Sequence, residues 1–389
     1  MIIKPRVKDY LCLTAHPEGC KKNVEDQIAY VKAQGEIPGD AKKVLVIGCS
    51  TGYGLASRIV AAFGCHADTL GIMFERPSNG RKTASPGWYN TASFEQFANE
   101  EGVYAKTING DAFSKEIKNL TIETIKKDLG KVDLVVYSLA APRRTTPDGV
   151  TYRSVLKTTG EEFTNKNLNL KDNSIGMKSI PAATEEEVEA TVKVMGGEDW
   201  KLWMQALKDA DVLSEDASTV AYSYIGSELT YPIYFEGTIG AAKKHLHQTA
   251  DEITKEVGVK ALISVNKGLV TQASAAIPIV PLYMSVLYKV MKENNVHEGC
   301  IEQIERLFKE KRLLADTITD EHGWVRMDDL AIRDEVKKRW EEINTDNVSE
   351  LADVDGYWED FYRMFGFKEE GIDYEAETDP VVEIPSIKE

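Results

Sequence analysis

The stretch Lys43-Val44-Leu45-Val46-Ile47-Gly48-Cys49-Ser50-Thr51-Gly52-Tyr53-Gly54 decides how the rest of the chain is read. Val44 to Ile47 is a continuous apolar run ending at a glycine, the pattern of a strand buried on both faces. Glycines follow at 48, 52 and 54. Gly48 permits a sharp turn off the strand. Gly52 and Gly54 leave room for phosphates to approach the backbone of a helix predicted from Gly52 to about Phe63. The free N–H groups and the dipole at the start of that helix favour a pyrophosphate. The spacing is G-x3-G-x-G, not the G-x-G-x-x-G dinucleotide fingerprint. Taken alone it fits a Gly-rich turn without a ligand equally well.

Working outward, the chain alternates between strand and helix patterns. Thr69 to Phe74 reads as a second strand ending at Glu75, Phe94 to Glu101 as a helix, and Val103 to Ile108 as a third strand followed by Asn109-Gly110-Asp111. Lys115 to Leu129 is amphipathic. Val132 to Tyr137 is a fourth strand running into Ser138-Leu139-Ala140-Ala141-Pro142. Helices follow at Glu185 to Met195 and Trp200 to Lys208, then a fifth strand at Ser218 to Tyr224, a helix at Gly240 to Val257, a sixth strand at Ala261 to Val265 and a helix at Pro281 to Glu293. This order implies an α/β fold, a Rossmann-type doubly wound parallel sheet with right-handed crossovers.

Three regions lie outside that rhythm. Residues 1–40 read as an N-terminal appendage, with β-like patches from Ile2 to Leu13 and a helix at Asn23 to Ala33 whose Val24, Ile28 and Val31 share one face. Residues 143–183 are polar and weakly alternating, and read equally as an insertion, a hairpin or lid, at the carboxyl end of the fourth strand, where open α/β sheets bind ligands, or as a disordered surface loop. Residues 297–389 read as a helical extension with a short hairpin near Trp324-Val325-Arg326 and an irregular acidic tail from Asp373. With the core at 41–142 and 184–296 and no repeat or low-complexity linker, 1–389 reads as one extended domain.

The net charge of −16 over 389 residues argues against nucleic acid as the main partner, because phosphate binding needs a basic face. A local cation cluster still suffices for a small polyanion. The five cysteines, at 12, 20, 49, 65 and 300, contain no C-x-x-C pair. Their odd number and the absence of a secretory leader point to free thiols in the cytoplasm. Cys49 reads as a small side chain that fits the turn, with no histidine near it in sequence to make it a nucleophile. The most apolar stretch, Ala273 to Val290, is short for a membrane span and carries Pro278 and Pro281. It reads as a buried loop and helix that line an apolar pocket.

Several polar residues sit where a cofactor would touch them. Glu75 lies 27 positions after Gly48, where a carboxylate bonds the adenosine ribose and repels a 2′-phosphate, favouring NADH; Arg76 beside it acts in the opposite sense. Asp111-Ala112 ends the third strand. Asp111 suits either the adenine amino group or an Asx turn. The small residues of Ser138 to Ala141 let the backbone pass close to a nicotinamide ribose. His245-x-His247 resembles a metal pair, but side chains at i and i+2 diverge on a helix, and no third ligand is evident, so no metal is expected. Lys243-Lys244 and Arg143-Arg144 read either as solvated surface or as local cation clusters for the phosphates of a small polyanion.

The sharpest feature is Tyr234-Phe235-Glu236-Gly237-Thr238-Ile239-Gly240-Ala241-Ala242-Lys243. The glycine spacing after the first strand resembles that of short-chain dehydrogenases/reductases, whose tyrosine and lysine lie four apart on one helix face. Here they are nine apart. On one helix, nine steps of about 100° would put them on opposite faces and ~13 Å apart along the axis. Gly237 and Gly240 resolve this by letting the chain bend before a helix that starts near Thr238, an N-cap candidate. Tyr234 then folds back toward Lys243 from outside that helix.

Together with the Tyr-x8-Lys spacing, the phrases Ser138-Leu139-Ala140-Ala141-Pro142-Arg143-Arg144, Val194-Met195-Gly196-Gly197-Glu198-Asp199-Trp200 and Val270-Thr271-Gln272-Ala273-Ser274 resemble the trans-2-enoyl-CoA reductases and the FabV-type enoyl-acyl-carrier-protein reductases. The likeness runs from Met1-Ile2-Ile3-Lys4-Pro5 to Gly371-Ile372-Asp373-Tyr374. It implies a largely monomeric enzyme that reduces the C2–C3 double bond of a 2-enoyl thioester, carried on coenzyme A or acyl carrier protein, with NADH. It further implies that Tyr234 is the proton donor, Lys243 a cofactor contact and Tyr224 a substrate contact. Gly48, Cys49, Ser50, Thr51, Gly52, Tyr53, Phe74, Glu75, Asp111, Ala112, Leu139, Ala140, Leu269, Val270 and Thr271 would line NADH. Rival readings are a carbonyl reductase, with the tyrosine donating to a ketone oxygen, and a non-catalytic NADH sensor.

Overall fold

The structure is a computed structural model that describes residues 1–8, 11–39, 41–271, 274 and 277–387. Seven strands form one parallel sheet: β1 (Lys43–Ile47), β2 (Asp68–Met73), β3 (Ala105–Asn109), β4 (Val132–Tyr137), β5 (Leu213–Ser223), β6 (Lys260–Val265) and β7 (Trp324–Arg326). Their spatial order is 7-6-5-4-1-2-3. β1 and β4 are neighbours, in register from Val44 beside Leu134 to Ile47 beside Tyr137. The chain order reverses there, which opens a crevice at the carboxyl ends of these strands.

Successive side chains of a strand point to opposite faces. Val44 and Val46 join one buried core with Leu134 and Val136, while Leu45 and Ile47 join the other with Val135 and Tyr137. Helices cover both faces. On one side are Pro17–Gln34, Gly52–Ile59, Pro86–Glu100, Val280–Glu293 and Cys300–Lys309. Glu198–Asp209 and Thr238–Glu252 supply buried residues to the other. Val24, Ile28 and Val31 of the first helix are buried, as its spacing requires. The helices at Gly52–Ile59, Lys115–Thr124 and Thr238–Glu252 each continue through a π turn, to Gly64, Leu129 and Val257.

Some expectations need correction. Trp324–Arg326 is not a hairpin: it pairs in parallel with β6, Ile263 beside Trp324 and Val265 beside Arg326. Three residues carry too little alternation to name their partner, which is supplied by a distant part of the chain. Phe74 lies beyond β2 and is 75% exposed. The insertion holds two antiparallel hairpins, Arg143–Thr145 with Thr151–Arg153 and Phe163–Leu168 with Ile175–Ile180. The second leans on the C-terminal region: Lys166 Nζ donates to the carbonyls of Trp340, Glu341 and Ile343 at 2.7, 3.0 and 3.0 Å, where a helix C-terminus favours a cation. Of the apolar stretch from Ala273, residues 273, 275 and 276 lie outside the described residues. Val280–Glu293 is a helix buried along most of its length.

The acidic tail is irregular yet anchored. The Trp88 indole N–H donates to the Val382 carbonyl at 2.7 Å and the Tyr89 hydroxyl to that of Pro380 at 2.6 Å. Ser386 donates to the Glu95 carboxylate through its N–H at 2.9 Å and its hydroxyl at 2.7 Å. Glu95 is fully buried, accepts from Thr107 Oγ1 at 2.5 Å and lies 3.9 Å from the equally buried Arg58 guanidinium. The tail thus supplies hydrogen bonds to a charge pair inside the fold. Removing one member of a buried pair strands the other. Glu95→Ala should therefore lower the unfolding free energy by about 3–5 kcal/mol, and Ser386→Ala by about 1 kcal/mol. Chemical denaturation checks both, and an unmoved midpoint for Glu95→Ala contradicts this account.

Candidate active site

The Gly-rich turn is built by close backbone crossings. Gly48 has φ +85° and Gly52 φ +55°, both in the left-handed region that suits glycine. A β-carbon on Gly48 would lie 2.1 Å from the Ser138 carbonyl, and one on Gly54 would lie 1.8 Å from the Gly48 carbonyl. Thr51 precedes the helix Gly52–Ile59 without a side-chain cap, so the first-turn N–H groups face the crevice unmasked. This bare cradle fits a dinucleotide pyrophosphate. Cys49 is buried, its thiol pushed up to about 11 mainly by desolvation, in keeping with a space-filling side chain.

The neighbouring strand ends converge on this turn. Ser50 Oγ donates to Glu75 Oε1 at 2.6 Å, joining the turn to the end of β2. A β-carbon on Gly87 would come within 2.1 Å of the same carboxylate. Asn109 clamps Glu75 through its side chain, accepting from the Glu75 N–H at 2.8 Å and donating to the Glu75 carbonyl at 3.0 Å. Arg76 is exposed. Asp111 Oδ1 accepts from the Phe113 N–H at 2.9 Å, the Asx turn that its neighbours allow, and Ala112 is buried. Leu139 is half-buried and Ala140 exposed at the end of β4. Leu269 and Val270 are buried beyond β6, and Thr271 is exposed. Gln272 and Ala273 of the same phrase lie outside the described residues.

Tyr53 departs from a simple lining role. Its hydroxyl donates to the Lys267 carbonyl at 2.8 Å, and its ring lies 5.5 Å from that of Tyr222. Ser57, one helical turn on, donates to the Tyr53 carbonyl at 2.5 Å and meets the Tyr222 hydroxyl at 2.5 Å. Tyr53 therefore ties the Gly-rich turn to the loop after β6. Ser57 and Tyr222 escaped the sequence reading. Their only signals were the i, i+4 spacing of Tyr53 and Ser57, and the i, i+2 spacing that puts Tyr222 and Tyr224 on one side of the strand end.

The end of β5 also anchors the tyrosine and lysine. Lys243 Nζ donates to the Tyr222 carbonyl at 2.8 Å. Desolvation lowers its pKa to about 8. The Tyr234 ring meets the Tyr224 ring edge-on, with centroids 4.8 Å apart. Burial, and then Tyr283, push the Tyr234 hydroxyl above its ordinary value, so the phenol holds its proton at neutral pH. Tyr234 sits in a turn before the helix Thr238–Glu252, outside it as the spacing requires. β-Carbons on Gly237 and Gly240 would strike the Ile233 and Phe235 carbonyls at 2.4 and 2.1 Å, so both glycines serve the bend. The N-cap is Gly237, not Thr238. The Thr238 hydroxyl instead donates to the Val155 carbonyl at 2.6 Å, fastening the insertion to the bend.

The remaining candidates separate. His245 Nδ1 accepts from the Gly197 N–H at 3.0 Å, while His247 Nε2 meets Ser223 Oγ at 2.8 Å. No metal-binding cluster of three occurs among the described residues. Arg144 is buried against Glu198 at 2.7 Å, with the Lys193 carbonyl also at 2.7 Å, and so is withdrawn from any coenzyme A phosphate. Neither its burial nor its acidic partner could be read from the Arg-Arg doublet.

The chain matches the family model for the trans-2-enoyl-CoA reductase catalytic region over residues 82–313 and that for the NAD(P)H binding domain of trans-2-enoyl-CoA reductase over 2–80. This chain belongs to the trans-2-enoyl-CoA reductase family. A Flavobacterium johnsoniae relative named enoyl-acyl-carrier-protein reductase (NADH) is 55% identical, with all of both chains covered. A Ruminiclostridium cellulolyticum relative named trans-2-enoyl-CoA reductase (NADH) is 53% identical, again over all of both chains. The structure of the Treponema denticola trans-2-enoyl-CoA reductase in complex with NAD superposes with a TM-score of 0.94 at 48% identity, covering 99% of this chain and 100% of that one. That of the Clostridium acetobutulicum enzyme in complex with NADH gives 0.93 at 44% identity, covering 98% of each.

A third model, described as an enoyl reductase FAD binding domain, matches residues 319–378. The residues of this reductase do not fit a flavin there. After β7 comes no Gly-rich turn but Met327-Asp328-Asp329, with Asp328 held by Arg326 at 2.7 Å and by Arg333. These carboxylates oppose a pyrophosphate. The aromatic rings there pack on one another: Trp358 edge-on to Phe361 at 5.4 Å and stacked on Tyr362 at 5.7 Å, and Phe361 tilted against Phe365 at 5.5 Å.

The glycine crossings make a graded prediction for this reductase. Gly54→Ala must push two backbone segments apart and should lower stability well beyond the left-handed strain of about 1–2 kcal/mol that Gly52→Ala costs without meeting a protein neighbour, while both variants should weaken NADH binding. Fluorescence titration with NADH and thermal melts of both variants check this; equal losses of stability at the two positions would contradict the crossing.

Proposed function

We propose that Tyr234 donates the proton in this oxidoreductase, which reduces the C2–C3 double bond of trans-2-enoyl thioesters with NADH. In the same proposal Lys243 contacts the cofactor ribose or phosphate and Tyr224 the substrate. The turn from Gly48 to Tyr53 and the segments Phe74-Glu75, Asp111-Ala112, Leu139-Ala140 and Leu269-Val270-Thr271 line the dinucleotide. The observation that carries the reading is the shared anchor: Lys243 hangs from the carbonyl of Tyr222, and Tyr234 leans on the ring of Tyr224, two residues further along the chain.

When bound, NADH supplies the hydride to C3. Negative charge then grows on the thioester oxygen. A neutral phenol aimed at that oxygen stabilises it as an oxyanion-hole donor does, and delivers the proton. The upward shift of the Tyr234 hydroxyl supports this role, because the group stays protonated until charge appears beside it. The ammonium of Lys243 draws the anionic cofactor toward the site. The Gly-rich helix start and the Ser50–Glu75 pair fix the adenosine end, so the reacting end has one orientation. The half-buried Glu75 supports NADH as the cofactor in place of its 2′-phosphorylated form.

The substrate is a small acyl thioester on coenzyme A or acyl carrier protein. No helix among the described residues is long and apolar enough to cross a membrane. The same reading takes the enzyme as a cytoplasmic monomer and residues 1–389 as one extended unit. The five cysteines, unbridged, suit a reducing compartment.

NADH oxidation with crotonyl-CoA, but not with simple ketones, is the expected result, and it separates this reading from a carbonyl reductase or a sensor. Tyr234→Phe should lower kcat roughly 10²–10³-fold or more while NADH still binds; near-normal turnover would remove Tyr234 from the mechanism. Burial lowers the Lys243 pKa, so its ammonium is full below about 8 and is lost as pH rises through that value. NADH affinity should fall across the same range in the wild type and stay low and flat in Lys243→Met. A pH-independent wild-type affinity would refute the role of Lys243.

A further inference from the structure

The loop after β6 runs Asn266-Lys267-Gly268-Leu269-Val270-Thr271. Side chains from later helices hold its backbone on the side away from the crevice. The Lys267 N–H donates to Gln303 Oε1 at 2.9 Å, from the helix Cys300–Lys309. The Val270 N–H donates to the Tyr288 hydroxyl at 3.0 Å, from the helix Val280–Glu293. Tyr288 is fully buried, as is Gln303. Burial, and then the charge of Asp360 on the helix Val354–Arg363, push the Tyr288 hydroxyl well above its ordinary value, so the phenol keeps its proton. Lys267 Nζ, itself buried, lies 5.1 Å from the Tyr288 ring centroid. The neutral phenol oxygen thus serves the loop as an acceptor.

We propose that Tyr288 is a positioning residue that holds Leu269-Val270-Thr271 against the nicotinamide end of NADH. Tyr288 and Gln303, from two helices, together clamp that loop. The proposal rests on the reading above, in which this loop lines NADH. Without the phenol oxygen, the Val270 N–H is a buried donor with no acceptor, and such a donor is costly to leave unmet. The loop must then move or admit water. Either response shifts Leu269 and Thr271, whose flanks the cofactor would touch. The thioester end of the site is anchored separately at Tyr224 and Tyr234, so the disturbance should be felt by NADH before substrate.

Tyr288→Phe keeps the ring and removes only the acceptor. It should raise KM for NADH about tenfold, in line with one buried donor left unmet, while KM for crotonyl-CoA changes less than about twofold. Gln303→Ala should reproduce this split, and because both residues hold one loop the Tyr288→Phe/Gln303→Ala double variant should fall short of additivity. A merely structural pair would lower the melting temperature and leave both KM values alone. Should Tyr288→Phe fail to fold, Gln303→Ala removes the other loop acceptor and should give the same split. Unchanged KM for NADH in folded variants overturns the clamp, as does additivity in the double variant. Failure of the wild type itself to oxidise NADH with crotonyl-CoA would instead sink the parent reading.

Discussion

A desolvated ammonium on a strand-end carbonyl organises the site. Lys243 has left water, which lowers its pKa, and its recorded hydrogen bond runs to the Tyr222 carbonyl. That bond fixes the helix Thr238–Glu252 relative to β5. The bend before the helix then has little freedom, because Gly237 and Gly240 pass within contact of carbonyls that a side chain would strike. Tyr234 is left facing Tyr224. The two glycines, not helical periodicity, place the tyrosine outside the helix that carries the lysine.

The same economy of space governs the cofactor cradle. Gly48, Gly54 and Ser138 meet at distances that exclude any β-carbon on either glycine. This crossing brings β1, its helix and the end of β4 together at the point where strand order reverses. The Ser50–Glu75 and Tyr53–Lys267 hydrogen bonds then extend the cradle to β2 on one side and to the β6 loop on the other. Four strand ends are tied by contacts of one turn.

The peripheral segments do structural work at a distance. The tail reaches the buried Arg58–Glu95 pair through Ser386, and the insertion reaches the C-terminal region through Lys166. The helices after β6 hold the loop that the proposed function gives to the nicotinamide. Additions to the core sheet therefore bear on the site without lining it, and the acidic, irregular look of the tail conceals an interior contact.

The sheet and most helices were legible in the sequence, since continuous apolar runs and glycine punctuation are local properties of the chain. Val132–Tyr137, Glu185–Met195 and the bend before Lys243 needed no partner to be recognised. The family likeness rested on spacing in the same way. Tertiary structure alone decided what had no local signal. It made Trp324–Arg326 a parallel edge strand, withdrew Arg144 to Glu198, and gave the Tyr53 hydroxyl to Lys267. Each of these depends on a partner tens or hundreds of residues away, or on burial that removes a charge from water. Periodicity records which face of an element is apolar, but a hydrogen bond between distant segments is settled only when packing brings donor and acceptor within reach.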